Sequence, residues 1–426
     1  MTPIDKAEKS KSFCIYPWIH QYVGPDGEIK PCCIYNPNDI GLANLKSSSL
    51  KETWNNDKTK QLRLDMLNGV DIPGCSLCSK REGITKVPRD DANIFWLENN
   101  KDIVNQTNND GSLNEHKLKY IDARFNNLCN FKCRTCSPQF STNWHKDYEK
   151  LRNKEYFNKY PNSLLIPGNT EDQLVDEIIP LLADVNRIYF AGGEPLMQIE
   201  HYKILDELLK ISHIGSYKKP LLLQYSTNFS NLNLGKYNVL DYWKKFARVY
   251  VAASLDGSHK KAEYWRKGTD WNIIVENIKN LRLECPRVMF KIGYTLSWVN
   301  AFNLLDFHKE WTELKYIKIN DISVNMLDHE SYYSLKTLPK WKKQKIENAF
   351  LDHIEWLKTN KAKPETINNF LDAIKFMNST DNEIFLRMEE FKYRTESLDQ
   401  LRNENFWDIY PEHTDLKELI YGSNTL

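Results

Sequence analysis

Residues 119–136 read KYIDARFNNLCNFKCRTC, an alternating apolar run followed at once by three cysteines. Tyr120 to Phe125 has the period-two alternation of a β-strand, and Cys129, Cys133 and Cys136 stand behind it at C-x3-C-x2-C spacing. Three thiolates ligate three irons of a 4Fe-4S cube and leave the fourth iron open to a small molecule, whereas a fully ligated electron carrier takes four. Spacing alone also admits a three-cysteine zinc site. Position adds weight to the first reading, because β/α barrels carry their chemistry on loops that follow strands.

Downstream of this loop five more short apolar runs are candidate strands: Arg187 to Ala191, Leu221 to Ser226, Arg248 to Leu255, Val288 to Leu296 and Ile322 to Met326. Between them lie stretches with helical spacing, such as HYKILDELLKI, DWNIIVENIKNL and NAFNLLDFHKEW. Strands alternating with helices predict right-handed crossovers and a parallel sheet. Six such units are two short of a closed eightfold barrel, so the expected fold class is α/β, a partial (β/α)6 TIM-like barrel of parallel strands. After Met326 the chain reads as a charged helical C-terminal extension without a catalytic motif.

Upstream, IHQYV and EIKPCC flank Pro25-Asp26-Gly27, a hairpin signal that brings Cys32 back towards Cys14. Helical stretches follow around Ser49 to Trp54 and Lys58 to Leu67, and Pro73-Gly74 breaks the pattern ahead of Cys75 and Cys78. Cys14, Cys32, Cys75 and Cys78 are four candidate thiolate ligands, a set that tetrahedral zinc and a 4Fe-4S cluster both accept. Cys33 is surplus: neighbouring residues of a strand point to opposite faces, so only one of the pair can serve. Cys285 precedes the fifth strand and reads as a small buried core residue.

CNFKCRTC resembles the cluster loop of the radical S-adenosylmethionine (radical SAM) enzymes. RIYFAGGEP, residues 187–195, is similar to the family's second motif, with Gly192, Gly193, Glu194 and Pro195 at the end of the second strand. The resemblance implies a 4Fe-4S cluster on Cys129, Cys133 and Cys136 that binds S-adenosylmethionine, with the GGEP segment at the methionine amino group. It also implies cofactor contacts from the later strand ends: Ser226 and Asn228, Ser254 and Asp256, Arg266 as a carboxylate partner, and Ser297 with Asn300. Where the family often has an aromatic residue before the third cysteine, this chain has Thr135; Phe131 is the substitute candidate for the adenine. The N-terminal order of Cys, Pro-Trp, Asp-Gly, Pro-Cys-Cys, Ala-Asn-Leu and C-x2-C is similar to the auxiliary-cluster domain called twitch, the shorter relative of SPASM. That similarity implies an auxiliary 4Fe-4S cluster on Cys14, Cys32, Cys75 and Cys78, with Cys32 preferred because it follows Pro31. The domain normally follows the radical core and here precedes it. The expected organisation is a twitch/SPASM-like cluster domain over 1–104, a linker over 105–118, the partial barrel over 119–326 and the helical extension over 327–426.

Composition limits the alternatives. Lys plus Arg is 58 and Asp plus Glu is 57, a formal charge of +1, which gives no electrostatic case for nucleic-acid or membrane-surface binding. No run has the apolar length of a membrane span, and MTPIDKAEKSKSF has no signal-peptide character; a cytoplasmic location is expected. Clustered cysteines in odd number argue for metal over disulfides. The expected activity is reductive cleavage of S-adenosylmethionine to a 5'-deoxyadenosyl radical, hydrogen abstraction from a peptide or protein side chain, and electron uptake by the auxiliary cluster. The resemblance also implies an external one-electron donor such as flavodoxin or ferredoxin. A dehydrogenase of a sugar or other small metabolite is the alternative within the class, and a non-catalytic zinc-stabilised RNA-binding module the alternative outside it.

Overall fold

Short alternating runs become strands in the computed structural model, which describes residues 1–36, 41–83, 87–151, 162–211, 221–328, 330–379 and 384–422. The chain divides into two units: Met1–Cys129, Asn162–Tyr225 and Asn233–Tyr250 form the first, and Asn130–Pro161, Ser226–Leu232 and Val251–Leu426 the second.

In the first unit, strands β1 (His20–Val23) and β2 (Glu28–Lys30) form the expected hairpin, and β3 (Ala43–Asn44) pairs antiparallel with β2. Gly27, at φ +88°, takes the left-handed turn position that a side chain would resist. Strands β4 (Tyr120–Ala123), β5 (Arg187–Phe190) and β6 (Leu222–Thr227) run parallel to one another. β1 runs parallel to β4 on its other side, with His20 opposite Tyr120 and Val23 opposite Ala123. The cysteine-bearing hairpin therefore extends the same sheet that precedes the C-x3-C-x2-C loop. Alternation sorts the faces: Ile121, Ile188, Phe190 and Leu223 are buried, and Phe190 meets His201 of helix Ile199–Lys210 at 4.7 Å between ring centroids. The opposite face carries Tyr120, Asp122, Arg124 and Arg187, with Arg124 paired to Asp122 at 3.2 Å and the Arg187 guanidinium 4.6 Å from the Tyr120 ring. A small antiparallel pair, β7 (Asn233–Leu234) and β8 (Tyr237–Asn238), leads towards β9 (Arg248–Ala253).

In the second unit the ends of β6 and β9 are joined by Ser254 N–H donating to Thr227 O at 2.8 Å. Strands β10 (Met289–Leu296) and β11 (Ile322–Met326) follow in parallel register. The helix Trp271–Glu284 starts at Asp270, whose carboxylate accepts from Asn272 and Ile273 N–H, and Ala301–Glu313 follows β10. Past β11 the chain is helical over Lys340–Thr359, Pro364–Asn378 and Ile384–Arg402. The fold class is as expected: α/β, mostly parallel, with a cysteine-rich N-terminal part and a helical C-terminus. Among the described residues no helix is long and apolar enough to cross a membrane.

Candidate iron-sulfur and cofactor site

In the first unit the residues leading into Cys129 are tied to the GGEP turn through backbone. Gly193 N–H donates to Asn126 O at 3.3 Å and Glu194 N–H to Leu128 O at 2.7 Å. A Cβ on Gly193 would lie 2.2 Å from Leu128 O, far inside contact distance, so the approach of the two segments requires glycine. Gly192, at φ +119°, takes up the turn beside Arg124. Glu194 is 1% exposed, and its carboxylate accepts from Leu196 N–H at 3.1 Å as Pro195 opens a short 3-10 turn. Asn126 adds to the arrangement by accepting from Leu128 N–H at 2.9 Å, and Gln198 donates to Asn126 O.

The remainder of the cysteine loop belongs to the second unit. It lies along the 265–268 segment, with Lys132 N–H to Lys267 O at 2.8 Å and Arg134 N–H to Trp265 O at 2.9 Å. Gly268, at φ +115°, lets that segment close on Phe131 and Asn130. Phe131 is buried there. Arg266 donates to Asp256 at 2.7 Å and approaches Cys133 Sγ at 3.7 Å. Asp256 also accepts from Thr295 N–H at 2.6 Å, Asn300 donates to Asp256 O, and Ser297 N–H donates to Asn300. These contacts form a series from Ser297 through Asn300 and Asp256 to Arg266, and of the four only Arg266 approaches Cys133, its guanidinium committed to Asp256 and the thiol. Although burial opposes its charge, Asp256 and then Cys133 hold the Arg266 pKa above its ordinary value. Asn228 bonds Asn130 at 2.8 Å and accepts from Ser230; Ser226 and Ser254 are half-buried at the ends of β6 and β9. Burial pushes the Cys136 thiol up to about 12, and the Cys133 thiol is also raised by burial, against the opposing pull of Arg266.

Cys14, Cys32, Cys75 and Cys78 all line one small cavity in the first unit, together with Pro31 and Arg89. Cys33 does not line it; that thiol lies near the charges of Asp122 and Arg124. Among the described residues no three His, Cys, Asp or Glu side chains converge on a single-ion position; the four sulfurs instead surround a shared space. A sulfur-only donor set suits thiophilic centres. Burial pushes Cys14 up to about 12 and Cys75 to about 11, so capture of metal there must release protons. Arg89 is a buried cation whose charge opposes those shifts and whose Nη1 donates to Lys11 O and Glu82. A single arginine in PRDD has no sequence signal that would have nominated it.

Residues 14–80 match the family model described as SPASM, iron-sulfur cluster-binding domain, and residues 124–296 match Radical SAM superfamily. The chain is 30% identical to GTP 3',8-cyclase of Nautilia profundicola over 116 residues, 27% of this chain and 29% of that protein. It is also similar to solved structures of native anSMEcpe with bound AdoMet, with and without a Cp18Cys peptide. Their TM-score is 0.39 at 16% and 17% identity, with 57% of this chain covered and 61% and 62% of those chains. The chain therefore spans less than two thirds of the length of each of these proteins. The two domains imply a 4Fe-4S cluster that binds S-adenosylmethionine, an auxiliary iron-sulfur cluster and S-adenosylmethionine as cofactors. The chain is a member of the radical SAM superfamily that carries a SPASM iron-sulfur domain ahead of its radical SAM region.

Proposed function

We propose that this chain cleaves S-adenosylmethionine reductively and abstracts hydrogen from a substrate carbon, with a peptide or protein side chain as substrate. The observation that carries the reading is the backbone pairing of GGEP with the residues entering a C-x3-C-x2-C loop. Cys129, Cys133 and Cys136 are the residues that would hold the 4Fe-4S cluster. When bound, the cluster supplies one electron to the sulfonium, giving methionine and a 5'-deoxyadenosyl radical. The chain's own contribution is positioning. Gly192 and Gly193 keep side chains out of the turn that carries Glu194, a buried carboxylate suited to an ammonium group. Asp256 orients Arg266 beside Cys133, with Ser297 and Asn300 fixing Asp256 from behind. Ser226, Asn228, Ser254 and Phe131 are assigned to the remaining cofactor contacts.

Cys14, Cys32, Cys75 and Cys78 form the electron-accepting auxiliary site, since four thiols leave no open coordination position. An external one-electron donor such as flavodoxin or ferredoxin, in the reducing cytoplasm, completes the cycle. An open, polar-lined cleft in the second unit supports a hydrophilic, extended substrate. Cys136 lines it with Tyr148, Glu330, Arg387, Glu390 and Arg394. A small-metabolite substrate is the second reading, favoured by the identity to GTP 3',8-cyclase. Anaerobic reduction with S-adenosylmethionine tests the cleavage step: 5'-deoxyadenosine should form, and Cys133→Ala should abolish it. Persistence of the product in that variant would remove the three-cysteine assignment.

A further inference from the structure

The C-terminal extension has a second role beyond walling the cleft. Arg134, between the second and third loop cysteines, has a side chain 1% exposed; its Nη2 donates to Asp399 at 2.5 Å and Glu404 at 2.8 Å. Arg402, the last residue of helix Ile384–Arg402, is equally buried at 1% and donates Nε to Asp147 at 3.0 Å. Its guanidinium lies 4.6 Å from the Trp144 ring centre, and Trp144 Nε1 donates to the Cys133 carbonyl at 3.0 Å. One contact path within the second unit therefore links the tail to the cysteine loop.

Four guanidinium nitrogens in this group, Nε and Nη1 of Arg134 and Nη1 and Nη2 of Arg402, are buried without a hydrogen-bond partner among the described residues. Native proteins seldom leave buried donors unmatched, and charged ones least of all. The neighbouring carboxylates are engaged. Asp147 also accepts from Lys132, Asp399 from Tyr264 and Phe406 N–H, and Glu404 from Lys267. The acceptor type still missing for these buried cations is an anion.

We propose that Arg402 is a positioning residue for the three-cysteine centre: its two unmatched Nη groups supply donors to the anionic iron-sulfur group held there and favour its reduced state. The inference rests on the radical SAM reading. Reduction adds negative charge, and a buried cation stabilises it more than one in water does; cluster potentials follow net charge and hydrogen bonds to sulfur.

The test is an EPR-monitored reductive titration of the anaerobically reconstituted full chain, with iron content, for wild type, Arg402→Met and Arg402→Lys. Cys133→Ala identifies which signal belongs to the three-cysteine site. Arg402→Met leaves Asp147 paired with Lys132, and Arg402→Lys keeps the charge without the Nη groups. Both should hold wild-type iron. The Cys133-dependent midpoint should move negative by a tenfold change in the reduction equilibrium or more in Arg402→Met, about 59 mV for one electron, and by less in Arg402→Lys. An unmoved midpoint in iron-loaded Arg402→Met overturns the inference alone. Loss of iron from both variants also overturns it, making Arg402 a packing residue. A wild-type chain without a Cys133-dependent signal overturns the parent reading together with it.

Discussion

Replacing Gly193 with alanine puts a methyl group where the backbone leaves no room. The added Cβ would sit 2.2 Å from Leu128 O and 2.6 Å from the Asn127 carbonyl carbon. An ordinary carbon-oxygen contact is longer by about 1 Å, so one segment must move by that amount, and neither obstacle is a flexible side chain. Movement breaks the Gly193–Asn126 and Glu194–Leu128 hydrogen bonds, each worth roughly 0.5–1.5 kcal/mol, and overpacking adds about 1–3 kcal/mol. The expected destabilisation is about 2–6 kcal/mol, or roughly 5–20 °C in Tm for a unit of this size. Gly83→Ala is the control: Gly83 has φ +78° and nothing within 4 Å of the place its methyl group would take, so only conformational strain of about 1 kcal/mol applies. Thermal unfolding of the two variants separates steric overlap from backbone strain. The reasoning is refuted if Gly193→Ala melts with wild type or with Gly83→Ala. Because Leu128 precedes Cys129, the same substitution should lower iron retention at the three-cysteine loop.

Exchanging both Cys75 and Cys78 for alanine should remove about half of the bound iron, as expected for one of two 4Fe-4S groups, and spare formation of 5'-deoxyadenosine; joint loss would mean these thiols hold the fold as a whole. Glu330 gives a pH test. Burial raises its carboxyl, Arg394 opposes the rise and Glu390 adds to it, leaving the pKa at about 7 from an ordinary 4.5. The native state thus binds this proton more tightly than the unfolded chain, so its stabilising contribution is whole below pH 4.5 and is lost as pH climbs to 7. Glu330→Gln, which keeps the neutral form, should gain on the order of 1–2 kcal/mol over wild type between pH 5 and pH 8; parallel Tm profiles would count against it.

Local pattern was enough for the strands. RIYF alternates because Ile188 and Phe190 are buried while Arg187 and Tyr189 are only half-buried, and such alternation is visible in four residues. Pro25-Asp26-Gly27 likewise announces its own turn. The β1–β4 pairing joins His20 to Tyr120 across 99 intervening positions, and no local signal encodes which of several short strands will meet. The strand period expected of Cys32 and Cys33 does not apply, because β2 ends at Lys30 and the pair lies in the bend and turn beyond it; that Cys32 lines the four-thiol cavity while Cys33 lies near Asp122 and Arg124 is visible only in three dimensions. Arg402 and Glu330 lie in charged, helix-rich sequence where one more ionic residue carries no information. Their meaning comes from Trp144, Asp147 and Arg394, all brought in by tertiary contact.

The parallel seam between β1 and β4 has a consequence for how the protein should be made. β1 leaves through the hairpin that ends at Cys32, so an empty N-terminal pocket loosens the strand that shields one flank of β4. An uncovered β4 offers its unpaired amides and carbonyls to any passing chain. Cells short of iron or sulfide should accordingly deposit this protein in inclusion bodies, and generous supply of both during growth should recover it in the supernatant.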